Sequence, residues 1–187
     1  MTQISEGLWS LRRVFRIERV FAGWSREQLL EVGPGRRNLI WALEKLCFWQ
    51  DTFHIAAPLL LAFAAAENES WGNNATNQFL QLFHVFLSGT QAPPDLQLTV
   101  VDVALSGGND EQKNLAVKAL GAALRNGQFT RTGGVESQGS RSPQTDWRPK
   151  QWSEVFNYWQ ECLNSYGFLK LKLQIFLVWK EALLQST

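Results

Sequence analysis

Apolar side chains recur every three or four residues in segment after segment of this chain, and this periodicity constrains the fold more than any other feature. Residues with that spacing share one face of an α-helix and bury it against neighbouring helices. The pattern predicts helices over about 5–22, 36–49, 75–87, 95–105 and 110–125, with further helical pattern after Asp51 and from Gln151. The predicted fold class is therefore all-α, at least half helical, without a sheet of three or more strands.

Capping residues mark where several of these helices begin. Ser25 and Asn109 are each followed three residues later by Gln, which is the pattern of a capping box, and Asn74 and Asp51 are placed to cap the helices that follow them. Such side chains accept a hydrogen bond from an N–H group in the first helical turn that has no partner within the helix. The helix after Asp51 contains Pro58, which removes one backbone hydrogen bond, so we expect a bend there.

The apolar faces of the predicted helices identify candidate core residues. Leu43 and Phe83 each stand at the centre of an apolar stripe, so both are predicted to be buried. Cys47 and Cys162 are the only cysteines, and each lies in an apolar helical segment. We predict that both are buried thiols with a structural role, as free cysteines in reducing compartments commonly are.

The spacing of the helices favours a stacked arrangement. Successive helix pairs begin near Arg36, Asn74 and Asp110, which lie roughly 36 to 38 residues apart. Two-helix solenoid repeats such as HEAT units have a period of about 40 residues. We therefore predict an α-solenoid-like stack of antiparallel helix pairs, with an irregular helical domain as the alternative.

Composition divides the chain into three parts. Residues 1–125 are predicted to form the helical repeat-like bundle, 126–150 a loop rich in Gly, Ser and Arg, and 151–187 a helical segment that packs on the same domain. Between Leu169 and Ile175 apolar and polar residues alternate, which is typical of a strand. A helix is favoured there because no second strand-like segment exists for pairing.

Charge and hydropathy exclude several classes of partner. Eighteen basic and seventeen acidic residues give a net charge of +1, so nucleic acid is not an expected partner. The longest uncharged apolar run, 55–66, is shorter than the roughly 20 residues that a membrane-spanning helix requires. The first residues also lack the pattern of a secretory signal. We expect a cytoplasmic protein without membrane association.

No motif in the sequence indicates catalysis or cofactor binding. The segment 133–140 has the glycine spacing of a phosphate-binding loop but lacks its Lys, which is the residue that reaches the outer phosphates. His54 and His84 lie thirty residues apart on apolar helical faces, a setting more typical of the core boundary than of a metal site. We therefore expect no cofactor, no metal and no enzymatic activity.

Three stretches carry a resemblance to a known family. ENESWGNNATNQFLQLFHVFLSGTQAPP, the preceding GPGRRNLIWALEKLCFWQDTF and the loop TRTGGVESQGSRSPQTDWRPKQWSEVFNYW resemble the helical region downstream of the ATPase module in bacterial NLR-like STAND proteins. The resemblance extends over about Trp24 to Leu163. STAND proteins are large antiviral or signalling ATPases with HEAT- or TPR-like sensor arrays, so the resemblance implies a piece of a sensor or scaffold without the ATPase module. It carries over no catalytic residue.

Two functional hypotheses from different classes follow. The first is a non-catalytic helical module for protein–protein interaction, whose partner is another protein or the remainder of a STAND-type chain. Arg and Trp dominate many protein interfaces, and the predicted contact residues are Arg12, Arg16, Arg19, Arg131, Arg141 and Trp147. Trp residues are expected in the core by default, but Trp71 and Trp152 flank polar loops and are further candidates for an interface. The alternative is a small helical enzyme or ligand-binding protein in which Glu67, Glu69, Arg131 and Arg141 converge on one pocket.

Overall fold

Helices account for all the regular structure in the described part of the chain. The computed structural model of the protein describes residues 21, 23–125, 130, 131 and 144–167. Within these ranges there is no strand, so the predicted all-α class is confirmed. The α-helices are Arg26–Leu30 (α1), Arg36–Phe48 (α2), Gln50–Ala65 (α3), Ala75–Gln81 (α4), Pro94–Gly107 (α5), Asp110–Ala123 (α6) and 152–167 (α7), and Gly33–Gly35 form a 3-10 turn.

Three of the four predicted caps are confirmed. The side chains of Ser25 and Asn109 accept hydrogen bonds from the third residue of α1 and α6, whose Gln side chains reach back in complete capping boxes. Asn74 accepts from the backbone N–H of Asn77 at the start of α4. The cap predicted at Asp51 is wrong, because α3 already begins at Gln50, with only Trp49 between it and the end of α2. This tight junction is held by Thr52, whose buried hydroxyl donates to the Leu46 carbonyl of α2.

Helix α4 is six residues shorter than predicted. It ends at Gln81 and not at Leu87, although the apolar pattern continues to Phe86. Beyond the helix the backbone turns through left-handed conformations at Leu87 (φ +56°) and Gly89 (φ +64°). Carbonyl groups freed by this turn are used in tertiary contacts: the Phe83 carbonyl accepts from the Tyr158 hydroxyl, and the Ser88 carbonyl accepts from Arg131. Tertiary hydrogen bonds therefore replace the helical ones that the local pattern predicted.

The core is built around α3, which packs against α2, α4, α5 and α6. Its own side chains Phe53 and Phe63 are fully buried, as are the predicted core residues Leu43 and Phe83. Both cysteines are free and buried, as predicted. The contacts between successive helices agree with an all-α domain, while the solenoid-like stack of pairs stays a prediction.

The last described helix docks onto the others through polar as well as apolar contacts. The Tyr158 hydroxyl lies 3.0 Å from the Phe83 carbonyl and 3.0 Å from the Gln97 side-chain oxygen. The Trp159 indole N–H donates to the Ala123 carbonyl at the end of α6 (3.0 Å). Among the helices that the structure describes, none combines the length and the apolarity needed to cross a bilayer.

Candidate interaction surfaces

Arg131, a predicted partner contact, is one half of a buried ion pair. Its guanidinium lies 3.0 Å from the Glu44 carboxylate on α2 and donates to the Ser88 carbonyl. Only 8% of the Arg131 side chain is exposed, and the Glu44 side chain is buried to a similar extent. Arg131 therefore joins the segment at 130–131 to α2 and to the turn after α4.

Gly89 makes room for this arginine. A Cβ atom at position 89 would lie 2.1 Å from the Cζ atom of Arg131, and the backbone φ of +64° is one that residues with a side chain rarely adopt. The same turn also holds the ends of other segments: the Gln91 N–H donates to the Phe48 carbonyl (2.7 Å), and the Trp147 N–H donates to the Thr90 carbonyl (2.7 Å). Segment 88–92 is thus a junction between α2, Arg131 and the chain that leads into α7.

The position of Arg131 changes the interpretation of the predicted contact residues. Its guanidinium cannot meet a partner protein while it is paired with Glu44, so we assign it a structural role. Trp147 is half-buried beside Thr90. Arg12, Arg16, Arg19 and Arg141 lie outside the described residues. One sequence signal pointed to an ion pair: Glu44 lies beside Leu43 on the buried face of α2, where a carboxylate requires a partner.

The predicted enzyme pocket is not assembled by its described members. Glu67 accepts hydrogen bonds from the backbone N–H groups of Asn68, Glu69 and Thr76 (3.0–3.1 Å) and lies 3.6 Å from Arg36. Arg131 has a different partner, Glu44. The Glu67 carboxylate therefore organises the turn before α4, and it shares no contact with Arg131.

Arg36 is a buried residue whose role the sequence did not indicate. Its guanidinium donates to the carbonyls of Leu29 (2.8 Å), Phe63 (2.7 Å) and Ala66 (3.0 Å). These carbonyls stand at the C-terminal ends of α1 and α3, where helix carbonyls lack intrahelical partners and a cation is favoured. Arg36 and Glu67 together thus fix the ends of three helices.

A cluster of two tryptophans and an arginine lies on the surface of α2 and the link before α4. The Arg37 guanidinium carbon is 5.0 Å from the centre of the Trp71 ring and 5.9 Å from that of Trp41. Trp71 is 58% exposed and Trp41 44% exposed. Both distances are within the range of cation–π attraction, so the arginine links the two rings. We call these three residues the Trp–Arg cluster.

A second aromatic surface runs along α7. Trp152, Phe156, Leu163 and Tyr166 are between 47% and 64% exposed, and Trp159 is partly buried between them. Neighbouring rings touch: the Trp152 and Phe156 centres are 6.3 Å apart, and those of Phe156 and Trp159 are 5.8 Å apart. We call these five residues the α7 stripe.

An open groove of about 400 Å³ lies between α3 and α5 and extends to the start of α6. Among its described lining residues His54 is the only titratable side chain, so the groove offers no pair of groups for acid–base catalysis. The Gln112 side chain at its end is already engaged in capping α6. The groove is lined by Pro58, Leu61, Leu96, Val100, Val103, Ala104, His54, Thr99, Gly107, Gly108 and Gln112.

Burial shifts the pKa values of both cysteines and of His84. Burial raises the pKa of the Cys162 thiol to about 12, helped by the nearby carboxylates of Asp102 and Glu161, and burial likewise raises the pKa of Cys47. Both thiols are therefore protonated at neutral pH, whereas a nucleophilic cysteine is a thiolate. Burial lowers the pKa of His84, and the charges of Arg125 and Arg131 lower it further. Within the described ranges no group of three His, Cys, Asp or Glu side chains is placed to hold a metal ion.

Comparison with known proteins gives no match: no family model, no curated protein and no solved structure resembles the chain significantly.

Proposed function

We propose that this chain is a non-catalytic α-helical scaffold or sensor module that acts through contact with another protein. The observation that carries the proposal is the Trp–Arg cluster on α2 and the link before α4. Two large aromatic rings remain about half exposed there while an arginine orders them. Trp and Arg are the residues most enriched among those that dominate binding energy at protein interfaces.

The geometry of the cluster presents a partner with aromatic and cationic side chains that already contact one another before binding. Side chains that are already ordered lose less conformational entropy when a partner covers them. Trp41 and Trp71 come from different segments of the chain and are linked by Arg37 alone in the described contacts. A partner that covers both rings would also remove the arginine from water, so we expect it to present a carboxylate or a carbonyl group to Arg37.

The resemblance to STAND proteins supplies a candidate for the partner. A helical sensor region contacts the remainder of its own chain or the molecule that it senses, and an all-α fold agrees with that role. We therefore propose a place in a bacterial defence or signalling assembly of this kind. The rival hypothesis of an enzyme loses its support, because Glu67 and Arg131 hold separate structural positions.

The test of the proposal compares two sets of exposed aromatic residues. An affinity-tagged chain is cross-linked in the cells that produce it, and the captured proteins are identified by mass spectrometry. The double variant Trp41→Ala/Trp71→Ala should lose the captured partner and keep its helical circular dichroism spectrum. The variant Phe86→Ala, which removes an exposed ring elsewhere, should retain it.

Two results would overturn the proposal. The first is recovery of the same partner with the double variant as with the wild-type chain. The second is ATP binding by the purified chain in calorimetric titration, because a scaffold without an ATPase module should give no heat.

A further inference from the structure

We infer that the protein associates with a second copy of itself through the α7 stripe. This surface is separate from the Trp–Arg cluster, and the inference does not depend on the function proposed for that cluster.

The stripe has the spacing of a helix-pairing seam. Trp152, Phe156, Trp159, Leu163 and Tyr166 follow one another at intervals of four, three, four and three residues. This is the a/d spacing with which two helices interlock side by side. A different face of the same helix, formed by Val155, Tyr158 and Cys162, is fully occupied by the core of the domain. One apolar face of α7 therefore packs against the core, and the second apolar face, the α7 stripe, lies beside it and is largely exposed.

The exposed area is sufficient for a weak symmetric pair. A fully accessible aromatic side chain presents about 150–250 Å², and the four exposed members of the stripe keep half to two thirds of their surface. The patch is therefore on the order of 500 Å² per chain, within the range of the largest apolar patches on monomers, which are often functional. Two copies would bury about 1,000 Å², which is below the range of stable interfaces and typical of a weak, reversible pair.

The surroundings of the stripe favour a second copy over a charged partner. The side of the stripe that faces away from the core is bordered by Ser153 and Gln160, and then by Asn157 and Asn164, all uncharged. The acidic residues of the described helix, Glu154 and Glu161, follow beyond them. Two identical helices can therefore meet along the stripe without bringing like charges together, whereas like charges at such flanking positions prevent self-pairing.

Another candidate occupant is the chain's own segment 168–187. At the continued spacing, positions 170, 173, 177, 180 and 184 are Lys, Leu, Leu, Lys and Leu, so two of the five are charged. This segment therefore matches the apolar stripe less well than a second copy of the stripe does.

Sedimentation equilibrium of the purified full-length chain tests the inference directly. The wild-type chain should sediment as a dimer at tens of micromolar and dissociate on dilution. Phe156→Glu places a charge in the middle of the stripe and should give a monomer. Glu161→Lys changes the charge of an exposed residue on the same helix, beyond the residues that flank the stripe, and should leave the dimer intact. Because Phe156 is 59% exposed, both variants should keep the wild-type melting temperature to within a few degrees.

Three outcomes would overturn the inference. One is a monomeric wild-type chain at these concentrations. A second is a dimer that persists in Phe156→Glu, which would place the contact elsewhere. The third is a monomeric full-length chain that dimerises only when 168–187 is removed, which would assign the stripe to the chain's own tail. The two tests are independent. A monomeric purified chain would leave the Trp–Arg cluster hypothesis unaffected, and failure of the cross-linking test would leave the dimer unaffected.

Discussion

The junction at 88–92 and the outer face of α7 present side chains in opposite settings. At the junction a charged residue from a Gly- and Ser-rich segment, Arg131, is buried against Glu44. On α7 the aromatic residues Trp152 and Phe156, from an amphipathic helix, are exposed. Polarity alone would assign the arginine to the surface and the aromatic rings to the core. Arg131 is buried because the buried Glu44 carboxylate requires a cation. The position of a side chain can therefore depend on a distant group with which it pairs.

The largest expected effect tests the buried ion pair. Arg131→Ala should lower the free energy of unfolding by about 3–5 kcal/mol, because it removes the buried guanidinium from the Glu44 carboxylate and the Ser88 carbonyl. Only the partly exposed Lys45 ammonium, 3.8 Å away, then remains beside Glu44. The control is Arg148→Ala, which removes a 62% exposed arginine from the Asp146 carboxylate (3.1 Å). Asp146 is itself only 9% exposed, but it also accepts a hydrogen bond from the backbone N–H of Gly89 (3.3 Å). That change should alter stability by less than about 1 kcal/mol. Urea unfolding followed by circular dichroism measures both, and equal losses would show that burial of the first pair has no consequence.

The second prediction compares phenylalanines that lie on the two kinds of surface. Phe83→Ala should destabilise by about 2–5 kcal/mol, because Phe83 is fully buried and its removal leaves a cavity. Leu43→Ala should do the same in the core face of α2. Phe156→Ala in the α7 stripe should lower the stability of the monomer by about 0.5 kcal/mol or less. The measurement is urea unfolding at low protein concentration, where a dimer does not contribute. A loss at Phe156 as large as that at Phe83 would mean that the stripe belongs to the core.

The sequence predicted local features of the fold and missed those that depend on distant partners. The caps at Ser25, Asn74 and Asn109 were predictable because a cap and its acceptor lie within one helical turn. The end of α4 was not, because the groups that replace its helical bonds come from Tyr158 and Arg131, far along the chain.

The candidate surfaces were predictable to a smaller degree. Trp71 and Trp152 were named as interface candidates because they flank polar loops, and the structure places both on the surface. The association of Trp71 with Arg37 and Trp41 could not be read from the sequence, because it joins separate segments. Arg131 was assigned to a partner contact because nothing local to it identifies Glu44.

The third prediction concerns the glycine beneath Arg131. Gly89→Ala should destabilise by about 1–3 kcal/mol, since alanine is strained at a positive φ and its methyl group would displace the guanidinium. Gly121→Ala is the control with the opposite sign. Gly121 lies inside α6 with open space around it, so alanine should stabilise that helix by about 0.5–1 kcal/mol. Thermal unfolding of the two variants should shift in opposite directions. A stabilising Gly89→Ala would contradict the close approach of Arg131.

The smallest expected effect is a pH dependence at the same junction. Burial, together with the charges of Arg125 and Arg131, lowers the pKa of His84 in the folded protein. The unfolded chain, with a His pKa near 6.5, therefore binds a proton more readily than the folded one. His84 thus contributes stability that is fully present above about pH 6.5 and is lost as the pH falls through the folded pKa.

His84→Gln should therefore flatten the decline in unfolding free energy between neutral pH and about pH 5. The quantity compared is the change in the free energy of unfolding with pH. A contact of the imidazole that does not depend on its protonation shifts the free energy equally at every pH and does not affect this comparison. Urea unfolding at a series of pH values measures it. Arg131→Ala should also reduce the slope, because it removes one of the two charges that disfavour protonation of His84. An unchanged slope in both variants would mean that His84 is not held neutral by the junction.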